Sequence, residues 1–411
     1  MNYQYHTLKN GIRLVHSEVK SPVSHCGLMV GTGSRDERLH ESGMAHFIEH
    51  MIFKGTKKRK AFHVLGMIEN SGGELNAFTT KEETCVYASF LSPFYEKSIE
   101  LFADVAFNSI FPVKEMQKEK MVILDEINSY LDNPAEQIFD DFESLVFQGH
   151  PLGNNILGTE KTVNSFKKSD IFRFMKRNYR LDNIVISSVG DINLKKLIAL
   201  TEKYFESVNL QGNIKDREIF NAYNPKREVN QNGSYLSHIM IGNVAYKRTD
   251  SKRLPLLLLN NLLGGPALNS RLNLNLREKH GLAYSVESMY NTYSDTGLFA
   301  VYLGTDLSKI EKSIGLVMKE LKSLREKKLG SLQLSVAKKQ IAGQLAIQYD
   351  SRQNEMLSIA KSLLYKPKLK SIESFLKEID ELDATSLMEV ANEVFDEQQL
   401  STLIFEAKEN D

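Results

Sequence analysis

The sequence predicts an α+β protein built from two similar domains, each a mainly antiparallel β-sheet covered by α-helices. The chain has 411 residues, of which 42% are hydrophobic, and this is enough to fill two to three cores of ordinary size. A strand-like segment at residues 24–29 has a similar sequence pattern to residues 237–242. The strand-rich segment 74–90 is likewise similar to residues 283–303. Such an internal repeat indicates that the second half of the chain repeats the fold of the first.

The boundary between the two halves follows from local composition. Residues 211–233 are polar and rich in Asn, which is typical of a linker. We therefore predict a first domain at residues 1–212, a linker at residues 213–232 and a second domain at residues 233–411.

Local patterns predict the elements of the first domain in order. Residues 5–19 alternate around an Asn-Gly turn signal, which predicts a β-hairpin, and residues 24–30 form a third strand. β-Branched and aromatic residues predict paired strands at residues 74–79 and 84–90. Further helices are predicted at residues 61–71, 93–108, 112–132 and 135–147, and a further strand at residues 183–189.

Charge and cysteine content exclude several classes of function. Lys plus Arg and Asp plus Glu both number 52, so the charge balance predicts neither a nucleic-acid partner nor attraction to a membrane. Cys26 and Cys85 are isolated within apolar segments, which predicts reduced core residues rather than a disulfide framework. No basic region followed by an apolar run opens the chain, so we expect a cytoplasmic protein.

Residues 43–53 contain the strongest functional signal. On a helix with about 100° per residue, His46, Glu49 and His50 lie within one arc of about 100°, and the opposite face is apolar. Two imidazoles one turn apart suit tetrahedral zinc, and a carboxylate beside them reaches a water in the open position without being a ligand. The pattern H-x-x-E-H is the zincin motif in reverse. The alternative is a helix that carries two surface histidines by chance.

Two carboxylates on a later predicted helix share one face, because Glu119 and Glu126 are seven residues apart and therefore lie about 20° apart. A second pattern, Gly-Gly-x-x-Asn-Ala-x-Thr, occupies residues 72–79. With this strand, the inverted motif and the duplicated halves, the chain resembles the pitrilysin/insulinase-type zinc metallopeptidases. Among these it is similar to the short bacterial members related to mitochondrial processing peptidase, and the resemblance covers nearly the whole chain.

The resemblance implies the roles of the residues around the metal. In that family the third zinc ligand is a Glu at the same spacing after the second histidine as Glu126 has here, 76 residues after His50. It implies one Zn²⁺ per chain, held by His46, His50 and Glu126. Glu49 is then the catalytic base, and Glu119 is a supporting catalytic residue that orients the site. A solvated surface charge is the alternative for Glu119 and for Glu126.

By the same resemblance, an edge strand and two residues of the second half contact the substrate. An exposed edge offers unpaired backbone groups to any extended peptide, although ordinary pairing within the sheet is the alternative. Arg277 and Tyr284, seven residues apart, match family positions that reach the peptide at the zinc from the opposite half. The matching residues of the edge strand are Gly73, Glu74, Leu75, Asn76, Ala77 and Phe78.

The function implied by the resemblance is that of a zinc-dependent endopeptidase. It hydrolyses peptides or unfolded segments in a chamber between two domains that form a clamshell, and it acts as a cytoplasmic bacterial homodimer. One alternative is a heterodimer with a zinc-less homologue that supplies the Arg and Tyr, and another is a non-catalytic scaffold subunit. A different metal hydrolase would leave Arg277 and Tyr284 without a role.

Overall fold

The structure, a computed structural model, describes residues 3–210, 216–231, 233–366, 369 and 371–408. The chain divides into two compact units, each assembled from three separate segments. Unit 1 comprises Met1–Asn128, Asn154–Arg217 and Ala346–Ile372, and unit 2 comprises Ser129–Gly153, Glu218–Leu345 and Glu373–Asp411.

The described residues form eleven β-strands in two sheets. The strands are β1 (Gln4–Thr7), β2 (Arg13–Glu18), β3 (Val23–Val30), β4 (Glu74–Thr79), β5 (Thr84–Leu91), β6 (Ile184–Gly190), β7 (Arg227–Gln231), β8 (Ser237–Ala245), β9 (Ala283–Thr292), β10 (Gly297–Thr305) and β11 (Ser401–Glu406).

The same residues form fourteen α-helices, none of which is both long and apolar enough to cross a bilayer. The helices are α1 (Met44–Met51), α2 (Ala61–Glu69), α3 (Tyr95–Phe107), α4 (Val113–Leu131), α5 (Pro134–Val146), α6 (Glu160–Ser165), α7 (Lys168–Asn178), α8 (Leu194–Phe205), α9 (Arg253–Gly264), α10 (Ile310–Glu326), α11 (Ser331–Asp350), α12 (Arg352–Tyr365), α13 (Ile372–Asp380) and α14 (Ala384–Val394).

The two sheets repeat one topology. Unit 1 contains a six-stranded sheet in the order β1-β2-β6-β3-β5-β4, in which β1 and β2 form the predicted hairpin and β2–β6 is the one parallel pair among the described strands of this sheet. Unit 2 contains a five-stranded sheet in the order β7-β11-β8-β10-β9, with β7–β11 as its parallel pair. Strand for strand, this order matches β2-β6-β3-β5-β4. The predicted α+β fold with two similar, mainly antiparallel domains is confirmed.

Helices cover both faces of the unit 1 sheet, which follows from the period-two alternation of its strands. In β2, Leu14 joins the core that contains residues of α1 and α3, whereas the next residue, Val15, joins a buried cluster on the other face. The interior strand β6 is buried at every position. Its sequence therefore shows a continuous apolar and small-residue run instead of an alternation.

Each unit takes one covering helix from the distant half of the chain. Helix α5 lies between α4 and α6 in sequence but belongs to unit 2, where Phe142 shares a buried cluster with Met240. Helix α12 follows α11 but belongs to unit 1, where Met356 shares a buried cluster with Val185. The contact units therefore differ from the predicted continuous domains. The physical reason is that an apolar helix face does not specify which sheet it will cover.

The predicted linker at residues 213–232 is partly structured. Residues 213–215 and 232 lie outside the described ranges, and residues 216–226 have no regular secondary structure. Residues Arg227–Gln231 form β7, which pairs in parallel with β11, so the linker assignment of these five residues is corrected. All five side chains are exposed, and for this reason the sequence shows no apolar alternation there.

Candidate metal centre

Helix α1 presents two histidines on one side and is held in the core by the other. Met44, Phe47 and Met51 are fully buried within the main apolar cluster of unit 1. Burial of side chains of this size contributes about 1.5–3 kcal/mol each, so packing sets the orientation of the helix. His46, 8% exposed, and the partly exposed His50 lie on the remaining side.

Glu126 of α4 meets both histidines. Its Oε2 atom lies 3.7 Å from Nε2 of His46 and 3.7 Å from Nε2 of His50. One ligand atom from each of the three residues can be chosen so that all lie within 4.8 Å of one another, and no other such group of His, Cys, Asp and Glu occurs in the described part of the chain. Ligands at about 2.0–2.2 Å from a tetrahedral zinc lie roughly 3.3–3.6 Å apart. A small contraction of three side chains therefore makes a zinc site.

The protonation state of His46 suits a metal ligand. Burial lowers the pKa of this side chain to about 4, and the neighbouring His50 acts in the same direction. The imidazole of His46 is therefore neutral at pH 7, and it offers a lone pair to a metal ion.

Glu119 supports His50 through a hydrogen bond. Its Oε2 accepts a hydrogen bond of 3.1 Å from Nδ1 of His50, and its Oε1 lies 2.6 Å from the ammonium of Lys54. Because an ionised carboxylate can only accept, His50 carries its proton on Nδ1 and directs Nε2 towards Glu126. Glu119 thus contacts a ligand and not the metal position. Sequence reasoning missed Lys54, because a single Lys one turn after the motif matches no recognisable pattern.

Glu49 lies beside the histidines without being one of the three converging groups. Burial raises the pKa of its carboxyl above the usual value; Thr79 and His50 oppose this rise, and the charge of Glu126 adds to it. One buried oxygen of this carboxyl, Oε2, has no hydrogen-bond partner among the described residues. An acceptor is therefore available for a water molecule in the site.

Strand β4 is the terminal strand of the unit 1 sheet, paired with β5 on one side. It contains the predicted residues Glu74 to Phe78, and Glu74 and Asn76 are exposed. Gly73 comes directly before the strand, where a Cβ atom would lie 2.6 Å from Ile68 and 2.7 Å from the carbonyl of Ser89. A glycine is required there because no other residue fits this approach.

Arg277 and Tyr284 lie in unit 2, whereas the metal-ligand set lies in unit 1. Arg277 is part of a π-helical segment, Asn273–Lys279, and its side chain is 49% exposed. Tyr284 is near the start of β9 and is 63% exposed; its hydroxyl donates a 3.3 Å hydrogen bond to Asp306. Both side chains can be reached from solvent, and their contact with substrate stays a prediction.

Comparison with known proteins identifies the family of this chain. Residues 13–160 match the family described as Insulinase (Peptidase family M16), and residues 165–341 match the Peptidase M16 inactive domain. The chain belongs to peptidase family M16. The predicted resemblance to pitrilysin/insulinase-type zinc metallopeptidases is confirmed. The M16 profile of the second half is that of an inactive domain, in keeping with the absence of the H-x-x-E-H pattern from that half.

Several M16 relatives are similar over almost the whole chain. The uncharacterized zinc protease YmxG of Bacillus subtilis is 32% identical over 97% of both chains. An uncharacterized zinc protease of Rickettsia felis is 32% identical over 98% of this chain and 97% of its own. These names support a peptidase with zinc as its cofactor.

Two crystal structures share the fold. A protease from Helicobacter pylori superposes with a TM-score of 0.88 at 24% identity, over 98% of this chain and 99% of that chain. A protein from Pseudomonas fluorescens described as a peptidase M16 inactive domain superposes with a TM-score of 0.92 at 20% identity, over 100% of this chain and 99% of that chain. At these identities the likeness supports the fold alone.

Proposed function

We propose that this M16 protein is a zinc-dependent endopeptidase that hydrolyses peptides or unfolded segments. The observation that supports it most is the convergence of His46, His50 and Glu126, with the half-buried Glu49 beside them. Three protein ligands and an open fourth position are the arrangement of a catalytic zinc site, whereas structural zinc sites are closed by four protein ligands.

The protein's own groups divide the reaction between them. Zinc, when bound, supplies Lewis acidity that polarises the scissile carbonyl and acidifies water. Glu49 accepts the proton of the attacking water and returns a proton to the leaving amine. Burial raises the pKa of its carboxyl, which makes Glu49 a stronger proton acceptor than an ordinary glutamate. Glu119 keeps His50 in the orientation that faces the site.

We propose that the substrate binds as an added strand on β4. The free side of this terminal strand can pair with an extended peptide through the backbone, so recognition depends little on peptide sequence. In this proposal the reaction takes place in a chamber between the two domains. Arg277 and Tyr284 then donate hydrogen bonds to the substrate or to the developing oxyanion.

We also propose that the working particle is a cytoplasmic homodimer. This proposal rests on the family resemblance, and it predicts a mass near twice 46.7 kDa by light scattering. A fully active monomer would contradict it.

The proposed function is tested with Glu49→Gln. The amide cannot accept the proton of water, so turnover of a quenched fluorescent peptide should fall by about 10²–10⁴. Zinc content by metal analysis should stay near one ion per chain, because Glu49 is not a ligand. Chelation should abolish wild-type activity, and added zinc should restore it.

The matched control is Glu69→Gln, which removes an exposed carboxylate from the neighbouring helix α2 and should leave turnover unchanged. Comparable cleavage by the Glu49→Gln protein would refute the base assignment. A folded wild-type protein without zinc and without peptidase activity would instead favour a non-catalytic subunit.

A further inference from the structure

The catalytic helix α1 begins without a local cap. The residue at its N-cap position is Gly43, which has no side chain to accept a hydrogen bond from the first turn. The first four N–H groups of a helix have no partner within the helix, and α1 contains eight residues. Because the N–H of Phe47 already bonds to the carbonyl of Gly43, the four N–H groups that need an outside acceptor are those of Gly43, Met44, Ala45 and His46.

A local cap is sterically impossible at this position. Gly43 has a φ of +91°, in the left-handed region that disfavours residues with a side chain. A Cβ atom there would lie 2.6 Å from the carbonyl oxygen of Leu157 and 2.9 Å from Cα of Gly158. The Ser, Thr, Asp or Asn that usually caps a helix cannot be accommodated.

The carboxylate of Glu37 supplies the missing acceptors. Its Oε2 accepts the N–H of Gly43 at 2.9 Å, and its Oε1 accepts the N–H of Ala45 at 2.8 Å. The residue is 5% exposed, so both bonds are shielded from water. Burial raises the pKa of this carboxyl, and the hydrogen bonds from Ala45 and Gly43 oppose that rise. One side chain thus accepts hydrogen bonds from two of the otherwise unpaired N–H groups in the turn that leads to His46.

Ion pairs hold the segment that carries Glu37. Arg35 pairs with Glu82 at 2.8 Å, with both side chains almost completely buried. Asp36 accepts hydrogen bonds of 2.9 Å from both Nε and an amino group of Arg217. The backbone that bears Glu37 is therefore fixed independently of α1. A rigid acceptor can determine where the helix begins, whereas a mobile acceptor would adjust its own position to that of the helix.

We propose that Glu37 is a positioning residue for the metal centre, which fixes the first turn of α1 and thereby sets His46 against Glu126. This inference rests on the proposed function, since it assigns Glu37 to the same site. Glu37 is not one of the three converging groups, and in this proposal it acts through the backbone of α1. Residues that support ligands typically change metal affinity by about 10–100-fold when replaced, and we expect Glu37 to fall in this range.

The test compares Glu37→Gln with Glu41→Gln in the whole 411-residue chain. The Gln side chain at position 37 keeps one acceptor oxygen but presents an N–H group to the second donor, so one cap bond is lost. Glu41 is 2% exposed and belongs to the same segment, but it pairs with Arg177 and the backbone of Arg38 instead of α1. The control therefore removes an equally buried carboxylate that does not cap the helix.

Two readouts separate positioning from general destabilisation. Hydrogen exchange by mass spectrometry, on peptides spanning residues 38–47 of zinc-loaded and metal-free protein, should be at least about tenfold faster in Glu37→Gln than in wild type. Zinc affinity by competition with a chromophoric chelator should be about 10–100-fold weaker. Glu41→Gln should lower the thermal midpoint while exchange around Gly43 and Ala45 and zinc affinity stay at wild-type values.

Each outcome decides the proposal. Wild-type zinc affinity in a folded Glu37→Gln protein would overturn it, and so would equal losses in the two variants. If Glu37→Gln does not fold, Glu37→Asp, which keeps the carboxyl group on a shorter side chain, provides the same two readouts. A wild-type protein that binds no zinc would defeat the proposed function, and unchanged exchange in metal-free Glu37→Gln would separately defeat the cap.

Discussion

Units 1 and 2 share a sheet topology but differ in the helix that follows the central strand. In unit 1, β3 leads to α1, which bears His46, Glu49 and His50. In unit 2, β8 occupies the equivalent place and leads to α9, which contains no His, Asp or Glu and buries leucines such as Leu256 and Leu259. The repeated sheet is thus a scaffold common to both units. In the proposed function, the chemistry depends on His46, Glu49 and His50 of α1 and on Glu119 and Glu126 of α4.

The largest effect is expected when the metal set of unit 1 is broken. Replacing His46, His50 or Glu126 with Ala leaves two ligands, which hold zinc poorly in a site made for three. Zinc content should fall from about one ion per chain to near zero, and peptidase activity should fall below that of Glu49→Gln. The fold should survive, because α1 is anchored by Met44, Phe47 and Met51.

Asp125→Asn is the control for this experiment, since it removes the exposed carboxylate next to Glu126 on α4. Zinc content and activity should not change. A Glu126→Ala protein with a full complement of zinc would show that the third ligand lies elsewhere in the chain.

The second-largest effect is expected from substitutions that test whether unit 2 contributes to the reaction. If Arg277 and Tyr284 donate to a transition-state oxygen, Arg277→Ala or Tyr284→Phe should reduce turnover by about 10²–10³, with zinc content unchanged. If they contribute uniform binding instead, KM should rise while kcat stays constant. Peptide hydrolysis measured across a range of substrate concentrations separates the two results.

Controls for unit 2 are Lys279→Ala, in the same π-helical segment, and Tyr290→Phe, which removes a hydroxyl from the same strand β9. Both should keep wild-type kcat/KM. Wild-type kcat/KM for Arg277→Ala and Tyr284→Phe on several peptides would reduce unit 2 to a stabilising role.

The smallest effect concerns the support of His50. Glu119→Gln keeps a neutral oxygen near Nδ1 of His50 but loses the charge that pairs with Lys54. Zinc affinity by chelator competition should weaken by about 10–100-fold, and saturating zinc should recover most of the activity. The control is Lys118→Ala, which changes the exposed neighbouring residue and should behave as wild type. Unchanged zinc affinity in Glu119→Gln would show that Glu119 does not support the metal site.

Much of this fold was predictable because its signals are local. The Asn-Gly turn predicted the hairpin of β1 and β2, and the repeated segments predicted two matching sheets. Helical geometry alone predicts that His46, Glu49 and His50 lie on one side of α1. The seven-residue spacing of Glu119 and Glu126 likewise places both glutamates on one face of α4.

The features that escaped prediction depend on contacts through space. The exposed strand β7 has no apolar alternation, and its pairing with β11 joins segments far apart in sequence. Glu37 and Lys54 acquire their roles from groups that sequence patterns do not place beside them. An amphipathic pattern identified α5 but not its sheet, because Phe142 would be equally apolar against either.

Helix α12 has a consequence for the order of events on the ribosome. It begins at Arg352, 162 residues after the end of β6, the last strand of the unit 1 sheet to be synthesised. At about 5–20 residues per second, translation of that interval takes roughly 8–30 s. During this time the sheet face bearing Val15, Met29 and Val185 has no covering helix. A nascent chain that ends before Arg352 therefore leaves this apolar sheet face without its covering helix, and such a face favours aggregation.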